Sequence, residues 1–211
     1  MESVRTIMLN LSIFSIFLPI LLSLVLFNRL DRNSTIVFIL LLLAGFPQLA
    51  YPFATRNVKI VLYNAYILVD LMIWGYIFLI NSKNPVVRNL IRISILFSII
   101  CSLVLFAAKG IQTRFYSELI CMNSLLQVLF ILLYFYSLYL TDQEIELQKK
   151  PIFWFSLGLL LYAPVTYFHF AFHSRVSENV AIIHNVMNTL MYVIFSIGIL
   201  ANAYPFVKAK Q

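Results

Sequence analysis

Seven long apolar stretches follow one another through this 211-residue chain, separated by short polar connections. A helix needs about 20 residues to cross the hydrocarbon core of a bilayer. Hydrophobic residues make up 62% of the sequence, which is far above the fraction in a soluble domain. We therefore predict an all-α membrane protein, a single domain over residues 1–211 that forms a seven-helix transmembrane bundle. Its spans lie near residues 7–27, 36–54, 60–80, 90–109, 119–140, 152–171 and 181–204.

The basic residues predict the orientation of the bundle, because seven spans place the two termini on opposite sides. Six of the 15 Lys and Arg residues lie on the side of the N-terminus and nine on the side of the C-terminus. Cytoplasmic loops carry the excess of positive charge, so we predict the N-terminus outside and the C-terminus inside. The formal net charge of +7 suits anionic lipid headgroups, so we expect membrane lipids as partners. Because the basic residues are spread over both membrane faces, we expect no nucleic acid as a partner.

Polar side chains within the spans are concentrated in the half of the bilayer nearer the N-terminus. At about 100° per residue they form stripes along four of the spans, which favours a shared polar interior. One interpretation is interhelical hydrogen bonding that only fixes the bundle. The other is an outward-facing ligand pocket. Its predicted contacts are Gln48, Tyr63, Tyr66, Asp70, Asn123, Gln127, Asn185 and Asn188.

Asp70 is the one carboxylate deep within a span, and no Lys or Arg lies at its depth. A carboxylate in the hydrocarbon region is costly, so it is either paired or protonated. Two roles remain open for Asp70. It is a neutral acid in a hydrogen-bond network, or it is a group that binds a ligand or handles a proton.

Three histidines raise the hypothesis of a zinc site. His169 and His173 are four residues apart on one helix face, and His184 begins the next span at the same membrane level. Two imidazoles at that spacing can bind one metal ion. The alternative is a set of interfacial histidines beside aromatic neighbours. We expect no cofactor other than a possible zinc ion.

The connection over residues 141–150 is the predicted contact for a separate cytoplasmic signalling partner. Thr141 and Glu144 have the spacing of a capping box. Glu146 and Lys150 are four residues apart in the order that favours an ion pair. The alternative is a solvated connector that orders the start of the sixth span.

Segments in three spans are similar to small, uncharacterised seven-helix proteins of the bacterial inner membrane. These segments are 63–70, 151–158 and 183–188, with the sequences YNAYILVD, PIFWFSLG and IHNVMN. Such proteins resemble the membrane input modules of sensor kinases. The resemblance implies a multi-pass protein of the bacterial inner membrane and establishes no activity.

Two further resemblances imply other functions. An acid in the third span and an HxxxH pair late in the chain are similar to the alkaline ceramidase-like membrane hydrolases. That resemblance implies His169, His173 and His184 as zinc ligands and Asp70 as the acid that assists the attacking water. The Phe46-Pro47-Gln48 segment is similar to the PQ-loop transporters.

We interpret the chain as an integral membrane protein rather than as an enzyme. It binds a small or lipid-like ligand in the outward-facing polar pocket and signals to a separate cytoplasmic partner. The first alternative is a zinc-dependent membrane lipid hydrolase of the amidase type. The second is a small carrier similar to the PQ-loop transporters. The oligomeric state is left open.

Overall fold

The computed structural model describes residues 2–50, 53–140, 146–172 and 178–203, and the regular structure in these ranges is helical. Short 3-10 turns at Phe27–Arg29 and Leu147–Lys149 accompany the α-helices. The α-helices are α1 (Glu2–Ser15), α2 (Phe17–Val25), α3 (Arg32–Ala50), α4 (Arg56–Asn81), α5 (Pro85–Lys109), α6 (Ser117–Tyr139), α7 (Pro151–Ala171) and α8 (Glu178–Ala203).

Within the described ranges, seven helical segments are long and apolar enough to cross a membrane, with α1 and α2 together forming the first. The predicted all-helical class and seven candidate spans are therefore confirmed by helix length and composition, which are the features of a multi-pass membrane protein. The spans are Val4–Val25, Arg32–Leu49, Arg56–Asn81, Pro85–Lys109, Ser117–Tyr139, Pro151–Ala171 and Val180–Ala203. The orientation of the termini and the single-domain assignment stay predictions.

Local chemistry sets several helix ends. The Asp31 carboxylate accepts from the backbone N–H of Ser34 at 2.8 Å, which caps the start of α3. Asn84 caps α5 in the same way, and Pro85 follows it at the first helical position. At the other end of α5, Gly110 has a φ of 77°, a conformation that glycine adopts without steric cost.

A proline explains the break between α1 and α2. Pro19 has no N–H to donate to the carbonyl four residues earlier, so the helix is interrupted at Ile16. The Ile16 carbonyl still accepts from the N–H of Ile20, at a long 3.4 Å. The first span is therefore two short helices rather than one continuous helix.

The chain divides into two compact units. The first contains Met1–Leu42, Glu144–Tyr162 and Ser177–Gln211, and the second contains Leu43–Gln143 and Ala163–Val176. Two of the boundaries along the chain, after Leu42 and after Tyr162, fall inside α3 and α7.

In the first unit, α1 and α2 pack against α8, and the start of α7 packs closely on α8. Two glycines allow that approach. A Cβ added to Gly158 would lie 2.9 Å from the Phe195 ring, and one added to Gly198 would lie 2.9 Å from the Phe155 ring. The two rings contact each other edge to face, with centroids 5.4 Å apart. On each helix, a glycine thus makes room for a phenylalanine ring of the other helix, as in small-residue packing of membrane helices.

In the second unit, α4, α5 and α6 pack against one another. Phe78 of α4 is fully buried, and its ring lies 6.5 Å from Phe130 and 5.8 Å from Tyr134 of α6. Ile95 of α5 packs over Gly75 of α4. Because α4 contacts both of its neighbours, side chains at its middle are held from two directions.

The predicted partner segment is described only from Glu146 onward, and Thr141 and Glu144 lie outside the described residues. Glu146 forms an ion pair with Lys149, the residue before the predicted partner Lys150. The physical reason is the 3-10 turn at Leu147–Lys149, because residues three apart eclipse each other in that geometry.

Candidate functional site

The candidate site is built around Asp70, at the middle of the 26-residue helix α4. The Tyr66 hydroxyl donates to Oδ1 of Asp70 at 3.3 Å. From α6, Asn123 Nδ2 and Gln127 Nε2 both donate to Oδ2, at 2.9 and 2.7 Å. The Trp74 side chain adds a further hydrogen bond to the carboxylate. Four donors therefore surround one carboxylate, two from its own helix and two from its neighbour.

Helical spacing explains how the donors converge. Tyr66 and Trp74 are four residues before and after Asp70, so all three lie on one stripe of α4. Asn123 and Gln127 are likewise four residues apart, one turn of α6. The contact of α4 with α6 brings these two stripes together. A carboxylate offers about four lone-pair positions, so the four donors match its full capacity as an acceptor.

All four partners are electrically neutral. The cations nearest to Asp70 in the sequence are Lys59 in α4 and Lys83 just after α4, 11 and 13 residues away, and α6 contains no Lys or Arg. At 1.5 Å per residue, Lys59 is about 16 Å away along the helix. None of these partners therefore supplies a positive charge to Asp70.

Two features leave the site able to bind a further polar group, which competes with the present donors for the carboxyl oxygens or uses a separate acceptor. Asp70 is only half-buried, whereas Gln127 is 4% exposed. Asn123 uses its Nδ2 to donate to Asp70, while its buried Oδ1 has no hydrogen-bond partner in the part of the chain that the structure describes. A buried acceptor without a donor is unfavourable. The site therefore combines the Asp70 carboxyl group with an unused acceptor.

Two further contacts hold α4 in place at the ends of the site. Toward the start of α4, the fully buried Asn64 donates through Nδ2 to the carbonyls of Ile111 and Arg114, at 2.8 and 2.9 Å. Its Oδ1 accepts from the backbone N–H of Tyr116 at 3.2 Å. One amide thus fixes the connection between α5 and α6.

At the end of α4, the Ser137 hydroxyl of α6 accepts from the backbone N–H groups of Lys83 and Asn84, at 3.2 and 3.3 Å. The second unit is therefore held at three levels, by Asn64, Asp70 and Ser137. Asp70 is the ionisable group among these three.

The other predicted ligand contacts lie elsewhere. The Tyr63 ring packs edge to face on Phe115, with centroids 5.9 Å apart. The Oε1 of Gln48 is buried and has no partner among the described residues. Asn185 and Asn188 belong to the first unit, where Asn188 Nδ2 donates to the Ser12 hydroxyl at 2.8 Å. Of the eight predicted residues, the structure thus joins Tyr66, Asp70, Asn123 and Gln127 through hydrogen bonds.

The predicted zinc ligands are placed only in part. His173 lies outside the described residues. The His169 ring contacts Phe170 with centroids 4.9 Å apart, and the His184 ring contacts Tyr162 at 5.4 Å. Within the described ranges, no group of three or more His, Cys, Asp or Glu side chains is arranged to hold a metal ion. The zinc hypothesis stays a prediction.

Two residues of the site were missing from the predicted set. Trp74 was detectable by its spacing of four residues from Asp70, which places it on the same stripe. Asn64 gives no such signal, because its partners are backbone atoms of the distant 110–116 connection.

Comparison with protein family models, curated proteins and solved structures finds no match to this chain.

Proposed function

We propose that this multi-pass membrane protein is a receptor that binds a small ligand with a protonated amine at Asp70. The observation that carries the proposal is a carboxylate at the middle of a membrane span whose partners are all neutral donors. A charged side chain at the centre of a membrane helix costs about 2.5–3.5 kcal/mol on insertion scales, and such residues usually mark functional sites.

The chemistry of the site favours a cation over an anion or an apolar molecule. An ammonium group supplies the positive charge that Tyr66, Asn123 and Gln127 lack. It also supplies N–H donors, and the unused Oδ1 of Asn123 is an acceptor beside the carboxylate. Ionic hydrogen bonds of this kind are about twice as strong as neutral ones.

The same hydrogen bonds suggest how ligand binding changes the packing of the helices. Asn123 and Gln127 connect α6 to α4 through the one oxygen Oδ2. A ligand that competes for this oxygen weakens the cross-helix bonds, so it favours a different packing of α4 on α6. A ligand shifts such an equilibrium only by its difference in affinity for the two packings.

We further propose that the N-terminus lies outside, that the membrane is the bacterial inner membrane, and that a separate cytoplasmic partner reads the change. The segment over residues 146–150 is our candidate contact for this partner. Its Glu146, Gln148 and Lys150 side chains are exposed in an alternating pattern. These exposed polar side chains offer a surface for the contact.

The test is a thermal-stability screen of the detergent-purified full chain against ethanolamine, putrescine and phenethylamine. Asp70→Asn removes the charge of the site. Glu118→Gln is the matched control, because it removes one carboxylate charge from the same unit at the exposed start of α6. We expect at least one amine to stabilise the wild type and the control but not Asp70→Asn. An equal shift in all three proteins, or no shift with any amine, contradicts the proposal.

A further inference from the structure

The geometry points to a second binding site, independent of Asp70, at the start of α5. We propose that Arg88 and Arg92 bind the phosphate of an anionic phospholipid and that its acyl chain lies along Leu96 and Leu103. The site would anchor one lipid molecule to the second unit.

The two arginines form a pair on one face of α5. They are four residues apart, and both are exposed. Arg92 Nη1 donates to Asn89 Oδ1 at 3.4 Å. Because Asn89 precedes Arg92 by three residues, this contact draws the Arg92 guanidinium back toward the turn that carries Arg88. Two guanidinium groups at one level suit the oxygens of a single phosphate.

Among the described residues of the second unit, no acid accompanies the positive charge at this end of α5. Residues 71–117 contain no Asp or Glu. In the described residues of the second unit, the acids are Asp70, which is deep in α4, and Glu118. Glu118 pairs with Arg114 beyond the opposite end of α5. The charge at Arg88 and Arg92 therefore attracts an external anion.

The helix terminus itself is not the anion site. The Asn84 side chain accepts from the N–H groups of Val86 and Val87, and the Asn84 carbonyl accepts from the N–H of Arg88. These first-turn donors are occupied, so the arginine side chains carry the proposed recognition.

The surface below the arginines selects a lipid rather than free phosphate. At about 100° per residue, Leu96 and Leu103 continue the stripe of Arg88 and Arg92 along α5. Leu96 is 59% exposed and Leu103 is 55% exposed. Of the seven spans, α5 is the least buried by the rest of the protein. A phospholipid matches this surface, because its phosphate can contact the arginines while its acyl chain lies on the leucines below them.

The experiment counts lipids bound to the purified full chain by native mass spectrometry. The probes are dioleoyl phosphatidylglycerol and, as the zwitterionic comparison, dioleoyl phosphatidylcholine. In Arg88→Gln/Arg92→Gln we expect the affinity for phosphatidylglycerol to fall by about tenfold or more. Arg88→Lys/Arg92→Lys keeps both charges but loses the guanidinium geometry, so it should bind more tightly than the glutamine pair and more weakly than the wild type.

The matched control is Arg56→Gln/Lys59→Gln, which removes two charges at the start of α4 and should leave this binding within about twofold. Inorganic phosphate and glycerol 3-phosphate should not displace the lipid, because neither contacts the apolar stripe. The proposal is overturned if the glutamine pair binds phosphatidylglycerol as well as wild type does. It is also overturned if both double glutamine variants lose binding equally, or if inorganic phosphate competes.

Discussion

The hydrogen bond between Gln127 and Asp70 predicts an energetic coupling between α4 and α6. Replacing Asp70 by Leu removes the acceptor of two cross-helix donors, which are 2.7 and 2.9 Å from Oδ2. Interhelical hydrogen bonds in membrane proteins average about 0.6 kcal/mol and reach about 1.7 kcal/mol. Two such bonds, with the donors left buried, predict that Asp70→Leu lowers the free energy of unfolding by about 1–3 kcal/mol.

A double-mutant cycle isolates one of these bonds. The variants are Asp70→Leu, Gln127→Leu and the pair, and the assay is reversible unfolding by dodecyl sulfate in mixed micelles. Because Gln127 Nε2 has a short bond to a carboxylate, we expect a coupling energy of about 1 kcal/mol. Asp70→Leu combined with Asn188→Leu is the control. Asn188 bonds Ser12 in the other unit, so its effect should be additive. A coupling of about zero for Asp70 and Gln127 would refute the cross-helix bond.

Four further predictions follow from the rest of the fold and from the proposals. Asn64→Ala removes three hydrogen bonds to the 110–116 connection, so it should lower unfolding stability by about 2 kcal/mol in the same assay. Gly198→Ala places a Cβ 2.9 Å from the Phe155 ring and should cost about 1–3 kcal/mol; an unchanged stability would contradict the close packing of α7 on α8. An impermeant maleimide added outside intact cells should label Arg114→Cys but not Lys150→Cys, and the reverse pattern would invert our proposed orientation. Metal analysis of purified protein should find no stoichiometric zinc, whereas about one zinc per chain that is lost in His169→Ala would favour the hydrolase alternative.

The helices and the residues at the middle of the site could be predicted from the sequence for a physical reason. A lipid-facing helix must hide its backbone polar groups within itself, so its apolar length determines its extent. Asp70 was conspicuous because a carboxylate in that setting is rare. The spacing of four residues then placed Tyr66 on the same stripe, and Asn123 with Gln127 on another.

The contact between the polar stripes of α4 and α6 could not be predicted from the sequence, because it depends on which helices pack together. The site joins α4 to α6, which are not neighbours in sequence. The polar stripe of α8 has the same pattern, yet its Asn188 bonds Ser12. Local backbone geometry could not be predicted either. The 3-10 turn at Leu147–Lys149 pairs Glu146 with Lys149 instead of the predicted Lys150.

The most direct test of the Asp70 site is a calorimetric titration of the most stabilising amine from the screen into three proteins. These are the wild type, Asp70→Asn and Glu118→Gln, all as the full chain in detergent. Loss of a charge-assisted hydrogen bond of about 1.5–3 kcal/mol predicts that Asp70→Asn weakens binding by about 10- to 150-fold. Glu118→Gln should bind like the wild type. Equal affinity in all three proteins would show that Asp70 does not hold the ligand and would contradict the receptor proposal.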